Sequence, residues 1–246
     1  MIHKSEFCKT KKIIKKNTRY ILIITAGISR LRANDYKSFN QNINIAKNLK
    51  EFFKESSIDK IIFLSTIDLY KKNLKKINED SGLDIIDYYS LSKFSSEKIL
   101  KFYSVEFNKK IIILRLPGMF GPGDKGRSTI GQMLKNAKKN KIIKLSNRGQ
   151  TKRNFLYIED FVDFFPDLFN IKKNLVINLV SGSNKSMYEV ANIIKSNFKR
   201  IKISKSKERN KRDYDTVFDN SLVKKISNYK FRTLKKSIND YISKNG

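Results

Sequence analysis

Three short apolar runs, separated from one another by segments of helical periodicity, constrain this fold more than any other feature. The runs span 19–26, 61–64 and 110–116 and are rich in isoleucine and leucine. Continuous apolar runs of this length are typical of strands that are buried on both faces. The helical segments between them span 36–56 and 89–104. Because strands that alternate with helices pair in parallel, the sequence predicts an α/β fold with a Rossmann-like, doubly wound parallel sheet.

The rest of the chain predicts shorter elements of both kinds. They lie at 129–139, 141–145, 153–158, 159–168, 175–179, 187–198 and from 219 to the end. No linker interrupts the 246 residues, so we expect a single domain. The glycine-rich segment 118–126 lacks the Gly-Lys-Ser/Thr of a phosphate-binding loop, and we predict a flexible loop there. Residues 1–18 are charged and poorly patterned.

The formal net charge of +30 would ordinarily suggest a nucleic-acid or anionic-membrane partner. The basic residues are mostly lysines spread along the whole chain, and no basic cluster is interleaved with aromatic residues. We therefore expect no specific nucleic-acid partner. The longest apolar stretches are far shorter than a membrane span. The single cysteine, Cys8, excludes an internal disulfide, which fits the cytoplasm.

Tyr89 and Lys93 form a Tyr-x-x-x-Lys pair at the start of a predicted helix. Residues four apart share one helix face, so the phenol and the ammonium can reach the same space. Because a neighbouring cation favours the phenolate, we expect Lys93 to lower the pKa of Tyr89 from its ordinary value near ~10, which would make it a general acid/base. The alternative is an ordinary solvated helix face, and the pair alone leaves both interpretations open.

Small or polar residues directly follow the three predicted strands. Gly27 follows the first, Ser65-Thr66 follows the second and Pro117-Gly118 follows the third. Ligands of doubly wound sheets bind beyond the carboxyl ends of the strands. We therefore expect these residues to lie at the ligand-binding edge together with Tyr89.

Six segments carry motifs in a characteristic order: Ile24 to Gly27, Asn42 to Leu49, Phe63 to Tyr70, Tyr89 to Lys93, Leu114 to Gly123 and Arg153 to Asp160. Together they resemble the extended short-chain dehydrogenase/reductase superfamily, and specifically its NAD-dependent epimerase/dehydratase family, which modifies nucleotide-sugars. The resemblance covers about 19–246 and implies a Rossmann-like core at about 19–116 and a small α/β substrate-binding region at about 117–246. It implies an NAD(H)-dependent epimerase or reductase that acts on a nucleotide-diphosphate sugar in surface-polysaccharide synthesis, with NADP(H) left open as cofactor.

The resemblance also implies roles for single residues. Thr66 would hydrogen-bond the reacting sugar oxygen, Tyr89 would exchange its proton, and Lys93 would bind the nicotinamide ribose and lower the tyrosine pKa. The other residues expected to bind the cofactor are Ala26, Gly27, Asn42, Ser65 and Pro117. The residues expected to bind the substrate are Thr66, Asp68, Gly118, Arg153 and Arg212. A homodimer through the helix of Tyr89 is implied as well, and no metal site is expected.

Some of these assignments have plain alternatives. The Ser65 hydroxyl suits a structural role better than a catalytic one, and the Thr66 hydroxyl could simply bond the backbone at a strand end. Arg153 and Arg212 could be surface charges, although a planar guanidinium suits a diphosphate better than the many lysines do.

Two departures from the family pattern narrow the function. Dehydratases of this family follow the threonine with two acids, whereas this chain has Ile67 and Asp68. This argues against sugar 4,6-dehydration and leaves epimerase, reductase or decarboxylase chemistry. The family's glycine-rich βαβ unit, which holds the pyrophosphate, does not precede Gly27. Either the reading frame begins late, or another chain supplies the unit, or the chain is a remnant. Without this unit, the strand at 19–26 would have an unpaired edge. The alternative function is therefore a catalytically silent binding protein.

Overall fold

The computed structural model describes residues 18–72, 74–210 and 213–244. The predicted segment 1–18 lies almost wholly outside this range, as does the predicted site residue Arg212. The strands are β1 Tyr20–Ile24, β2 Ile58–Thr66, β3 Lys110–Leu116, β4 Gly118–Phe120, β5 Ile142–Leu145, β6 Lys152–Tyr157, β7 Leu175–Asn178, β8 Asn184–Ser186 and β9 Lys202–Lys205. The helices are α1 Tyr36–Asn48, α2 Lys50–Lys54, α3 Tyr88–Glu106, α4 Thr129–Asn140, α5 Ile158–Phe164, α6 Met187–Lys195, α7 Ser221–Ile226 and α8 Leu234–Lys244.

Two compact units divide the described chain. The first contains the residues up to Tyr70, Leu83–Arg115 and Leu168–Ile177, and the second contains Lys71–Gly82, Leu116–Asp167 and the residues from Asn178 onward. The first unit thus ends near the boundary predicted at residue 116, but it also takes in a later segment of the chain. The role of the second unit in binding substrate stays a prediction.

The sheet of the first unit has the strand order β1-β2-β3-β7. Strands β1 and β2 run in parallel, and their register places Ile24 beside Phe63. The central strands β2 and β3 are the predicted apolar runs, and Ile61, Ile62 and Ile112 are fully buried within them. A parallel sheet with helices between its strands is the predicted α/β, Rossmann-like architecture.

Strand β1 corrects one prediction, because it is not buried on both faces. Tyr20, Ile21 and Leu22 are only partly buried, and Ile23 is 41% exposed. Among the described residues, β1 lies at the end of the sheet and pairs with β2 alone. A strand with one neighbour is covered less completely than a central strand, which explains the exposure.

The helices of the first unit start at well-defined caps. Asp35 caps α1 and Asp87 caps α3, and in both helices the serine at the third helical position completes a reciprocal capping box. The predicted single helix over 36–56 is two helices, α1 and α2, which meet at Leu49. Helix α1 packs against α3. The apolar core beneath them consists of Ile24, Leu49, Phe52, Phe53, Ile58, Ile61, Phe63, Leu100, Ile111 and Ile113.

The second unit is built on two small sheets. One has the order β4-β6-β8 and the other pairs β5 with β9. Its core is formed mainly by α4, α6, α8 and the strands they cover. The predicted helical tail is two helices, α7 and α8, separated by a non-helical segment at 227–233.

The glycine-rich segment of the second unit is more ordered than the flexible loop predicted for it. Its first three residues form β4, which pairs in parallel with β6. Farther along, the Asp124 carboxylate accepts hydrogen bonds from the Gly126 N–H and the Ser128 hydroxyl. It also accepts one of 2.7 Å from the Tyr241 hydroxyl. These bonds fix the turn that leads into α4.

Candidate functional site

Thr66 lies at the carboxyl end of β2, as the sequence predicts. Its hydroxyl accepts a 3.2 Å hydrogen bond from the N–H of Asp68 and so caps the short 3-10 helix that follows. The Thr66 side chain also interacts with the Tyr89 phenol, whose pKa it lowers. The strand end and the helix start therefore bring the two predicted catalytic hydroxyls together.

Tyr89 is placed by the first turn of α3. The Asp87 cap fixes where this helix begins, and the Tyr89 N–H donates a 2.9 Å hydrogen bond to Oδ1 of Asn34 in the segment after β1. Tyr89 thus contacts the segments that follow both β1 and β2. This is the predicted ligand-binding edge of the parallel sheet.

The pKa of Tyr89 is raised to about 12, so the prediction that it would be lowered is wrong for this structure. Burial is the largest cause, and the negative charge of Asp68 adds to it. The interaction with Thr66 and the positive charge of Arg30 act in the opposite direction but do not offset burial. The Tyr89 phenol is therefore neutral at neutral pH.

Lys93 has a different partner from the one predicted. Its Nζ donates a 2.8 Å hydrogen bond to the carbonyl oxygen of Leu64 and lies 4.9 Å from the ring centroid of Phe63. Burial lowers the pKa of Lys93 to about 8, although the charge of Glu97 opposes this. The helix pair does place Tyr89 and Lys93 on one face, but the ammonium is held by the backbone of β2.

Arg30 is the functional candidate that the sequence analysis missed. Its guanidinium forms ion pairs of 2.6 Å with Asp68 and 2.9 Å with Asp87, and it lies 4.9 Å from the ring centroid of Tyr89. Its Nε is buried without a hydrogen-bond partner among the described residues. The available signal was an arginine three residues after Gly27, at the same sheet edge, in a chain whose cations are mostly lysines.

A small pocket that opens to solvent lies beside this group. It is lined by Ala26, Gly27, Asn42, Ile45, Ala46, Leu49, Phe63, Lys93 and Ser96. Gly27 has a φ of +149°, and a Cβ there would point between Oδ1 of Asn42 and Nζ of Lys93, 3.5 Å from each. The glycine therefore leaves open a space beside a cation that a side chain would fill, which suits part of a dinucleotide.

Two of the predicted cofactor residues are already bonded within the chain. The Asn42 amide accepts a hydrogen bond from the Ile28 N–H and donates to the Ile28 carbonyl and to Ser92, so it fixes the segment after β1. The Ser65 hydroxyl donates a 2.6 Å hydrogen bond to Glu97. This favours the structural alternative for Ser65, and it leaves the Asn42 side chain as part of the pocket wall.

Behind Thr66 lies a buried ion pair that the sequence analysis also missed. Arg115 donates to both carboxylate oxygens of Glu97, at 3.0 and 2.8 Å, and to the Tyr70 hydroxyl at 2.9 Å. With the Ser65 bond, this network links β2, β3 and α3 next to Thr66. The sequence feature that could have indicated this ion pair is Glu97, one helical turn after Lys93.

The remaining predicted site residues belong to the second unit. Pro117 directly precedes β4, Gly118 is its first residue, and Arg153 lies on the neighbouring strand β6. The Arg153 guanidinium lies 4.9 Å from the ring centroid of Tyr214, and Lys72 lies 4.9 Å from the same ring. Two cations thus meet on one aromatic ring in this unit.

In the described part of the chain, no group of His, Cys, Asp and Glu side chains could hold a metal ion. None of its helices is both long enough and apolar enough to cross a membrane.

Comparison with known proteins was made on sequence and on structure. The sequence model of the NAD dependent epimerase/dehydratase family matches residues 5–179. An uncharacterized UDP-glucose epimerase of Bacillus subtilis, YtcB, is 27% identical over 156 residues, which are 62% of this chain and 49% of that protein. A dTDP-4-dehydro-6-deoxyglucose reductase of Escherichia coli is 33% identical over 144 residues, which are 52% of this chain and 46% of that protein.

Solved structures share the fold at low sequence identity. A UDP-glucose 4-epimerase from Thermotoga maritima, solved with UDP-glucose, superposes with a TM-score of 0.86 at 17% identity, covering 98% of this chain and 81% of that chain. A UDP-glucuronic acid 4-epimerase from Bacillus cereus, solved with UDP-glucuronic acid and NAD, gives 0.82 at 22% identity, covering 99% and 79%. The chain spans about half the length of the curated relatives it matches.

Proposed function

The chain belongs to the NAD-dependent epimerase/dehydratase family, and from this premise we propose that it is an NAD(H)-dependent epimerase or reductase of a nucleotide-diphosphate sugar. The observation that carries the proposal is the interaction of the Thr66 side chain with the Tyr89 phenol at the carboxyl edge of the parallel sheet. Two hydroxyls in contact at this edge can bind one sugar oxygen and pass it a proton.

The cofactor would be held by the pocket that Ala26, Gly27, Asn42 and Lys93 line. When bound, the dinucleotide supplies the hydride acceptor or donor. Lys93 suits a ribose because its ammonium can donate several hydrogen bonds and already lies beside Gly27. The proposal leaves NADP(H) open as the alternative cofactor.

Tyr89 would handle the proton of the sugar hydroxyl, and Thr66 would hold that oxygen. The pKa of Tyr89, raised to about 12 by burial, keeps its Oη protonated at neutral pH. A neutral phenol is a proton donor, so this form of the site is suited to protonating a keto-sugar oxygen as the carbonyl carbon is reduced. The reverse direction requires Tyr89 to accept the hydroxyl proton.

The segment after Thr66 favours these reactions over sugar 4,6-dehydration. Ile67 is buried and apolar, and the Asp68 carboxylate is bound by Arg30 at 2.6 Å. Ile67 has no acidic group and the Asp68 carboxylate is held in an ion pair, so neither residue is available to protonate a leaving hydroxyl. Epimerisation or reduction, which need only Thr66 and Tyr89 beside the cofactor, are the reactions that these residues support best.

The substrate assignment rests on the second unit. Arg153, beside Lys72 and Tyr214, would bind the diphosphate, together with Gly118 and with Arg212 outside the described residues. A guanidinium binds phosphate oxygens through two parallel hydrogen bonds, which an ammonium cannot do. We place the enzyme in the cytoplasm and in surface-polysaccharide synthesis, as a homodimer through α3.

The test is hydride exchange on a panel of sugars. The full chain is incubated with NAD(H) that carries deuterium at C4 of the nicotinamide and with UDP-, GDP- and dTDP-sugars, including uronic acids, and the products are identified by NMR. We expect an epimerised or reduced sugar from one nucleotide class. Absence of any exchange with every sugar would contradict the proposed function. A pentose formed by decarboxylation of a uronic acid would show instead the decarboxylase chemistry that the sequence leaves open.

A second candidate is a catalytically silent binding protein, which the Lys93 ammonium bonded to the Leu64 carbonyl favours. Calorimetric titration with NAD separates the two. Saturable binding that Gly27→Trp abolishes, through a side chain that fills the pocket, would support the enzyme. Absence of binding at millimolar NAD would support the silent protein.

A further inference from the structure

Three segments of the first unit converge on Tyr89, and Arg30 connects all of them. Arg30 follows β1, and its guanidinium binds Asp68, which follows β2, and Asp87, which caps α3. It also lies 4.9 Å from the ring centroid of Tyr89. The Arg30 side chain is only 12% exposed, so these contacts are shielded from solvent.

We propose that Arg30 is the positioning residue of the Tyr89 site, which binds both Asp68 and Asp87 and covers the face of the Tyr89 ring with its guanidinium. The proposal rests on the proposed function of Tyr89 as the proton-handling group. Arg30 is then the cation beside the tyrosine, a role that the sequence predicts for Lys93.

The geometry requires an arginine in particular. A guanidinium is planar and offers several N–H groups in a fixed arrangement, so it can bind two carboxylates and still lie flat over an aromatic ring. A lysine ammonium is a single point charge and cannot span both carboxylates in this way. The bond to Asp87 also ties the guanidinium to the residue that decides where α3 begins.

The charges that face Tyr89 come from each segment packed against it. Burial raises the pKa of Tyr89, Asp68 and Asp87 raise it further, and Thr66 and Arg30 lower it. Arg30 is the one cation among the named causes. Its removal would take away the opposing charge and leave both carboxylates without their ion pair.

The readout is the titration of Tyr89 itself, which requires neither cofactor nor substrate. The full chain is labelled with fluorotyrosine, whose more acidic phenol moves the titration into an accessible pH range, and fluorine NMR is recorded against pH. Tyr89→Phe identifies the Tyr89 resonance. The variants are Arg30→Gln, Asp68→Asn and the two combined, and the matched control is Arg32→Gln, an exposed arginine two residues away.

Arg30→Gln should raise the pKa of Tyr89 by about one unit or more, since an adjacent opposite charge shifts a pKa by ~1–3 units. Asp68→Asn should lower it, and the double variant should lie between the two single variants. Arg32→Gln should leave it unchanged. An unchanged Tyr89 pKa in a natively folded Arg30→Gln protein, or an equal shift in Arg32→Gln, would overturn the proposal. If Arg30→Gln does not fold, an unchanged pKa in Asp68→Asn overturns it.

A kinetic measurement separates this proposal from the proposed function. If the wild-type chain exchanges hydride, Arg30→Gln should lower kcat at least about tenfold with a smaller change in KM, because a higher pKa makes Tyr89 a poorer acid at neutral pH. Arg30→Lys should recover only part of kcat. If the wild-type chain is inactive, the proposed function fails, and the titration of Tyr89 still decides the role of Arg30.

Discussion

Nζ of Lys93 lies 2.8 Å from the carbonyl oxygen of Leu64, two residues before Thr66. This bond joins the second turn of α3 to the end of β2, and it holds a charged group in a largely apolar pocket. Lys93, the lysine of the predicted catalytic pair, therefore connects the helix to the sheet. Burial of its charge also destabilises the folded protein, and this effect can be measured.

Lys93→Met should stabilise the protein at neutral pH. Because the folded-state pKa of Lys93 is about 8, below its ordinary 10.5, the unfolded chain binds more protons between these values, and stability rises with pH across that window. At pH 7 the variant should be more stable by on the order of 1–3 kcal/mol, less the lost hydrogen bond. The advantage should shrink as pH rises from about 8 toward 10.5, as measured by urea unfolding.

Lys98→Met is the matched control, because Lys98 is exposed on the same helix. It should change stability by less than about 0.5 kcal/mol at every pH. An equal and pH-independent effect of the two substitutions would contradict the account of a buried, destabilised Lys93 ammonium.

The ion pair of Arg115 with Glu97 should behave as a buried pair. Arg115→Met leaves the Glu97 carboxylate without its cation and should cost about 3–5 kcal/mol of unfolding free energy. Adding Glu97→Leu should recover most of that loss. Arg19→Met, in a pair with Asp59 whose side chains are 71% and 52% exposed, should cost less than about 1 kcal/mol. A double variant as unstable as the single variant would show that the carboxylate is not the cause.

Gly27→Ala should weaken both folding and cofactor binding. The φ of +149° is one that L-residues rarely adopt, so the substitution should cost roughly 1–3 kcal/mol of stability. Its Cβ would also enter the pocket beside Lys93, which should lower NAD affinity in calorimetry. Gly82→Ala, where a Cβ would meet nothing within 4 Å, should be near neutral in both measurements, and an equal loss there would contradict the explanation.

Exposed apolar residues on α3 support the proposed homodimer. Phe102 and Val105 on this helix are 75% and 77% exposed, and large exposed apolar residues are typical of protein interfaces. Phe102→Glu should convert the proposed homodimer into a monomer in light scattering. Val162→Glu, at an exposed position on α5, should leave the dimer intact. A monomeric wild-type protein would contradict the proposal.

The central strands and the hydroxyl pair could be predicted from sequence because each depends on local pattern. Strands β2 and β3 are continuous apolar runs, and the residues that end β2 and begin α3 meet at the edge where parallel strands end. The short strands β4, β8 and β9 could not be predicted, because they contain three or four residues without apolar alternation.

Arg30 could not be predicted because its partners are distant in sequence. Asp68 and Asp87 lie 38 and 57 residues further along the chain, and only the fold brings them together. The prediction that the pKa of Tyr89 is lowered was wrong for a related reason. Helix periodicity places Lys93 on the same face as Tyr89, but it does not reveal burial of the phenol or the Leu64 carbonyl that binds the ammonium.

Tyr89→Phe, compared with Tyr88→Phe in the hydride-exchange assay, tests the central claim most directly. The two tyrosines are adjacent on α3, but Tyr88 is 44% exposed and packs near Tyr36 and Phe39 instead of Thr66. The account predicts that Tyr89→Phe lowers kcat by about 10²-fold or more, the usual effect of a general acid/base, while Tyr88→Phe retains wild-type kcat. Equal rates in wild type and Tyr89→Phe would contradict it.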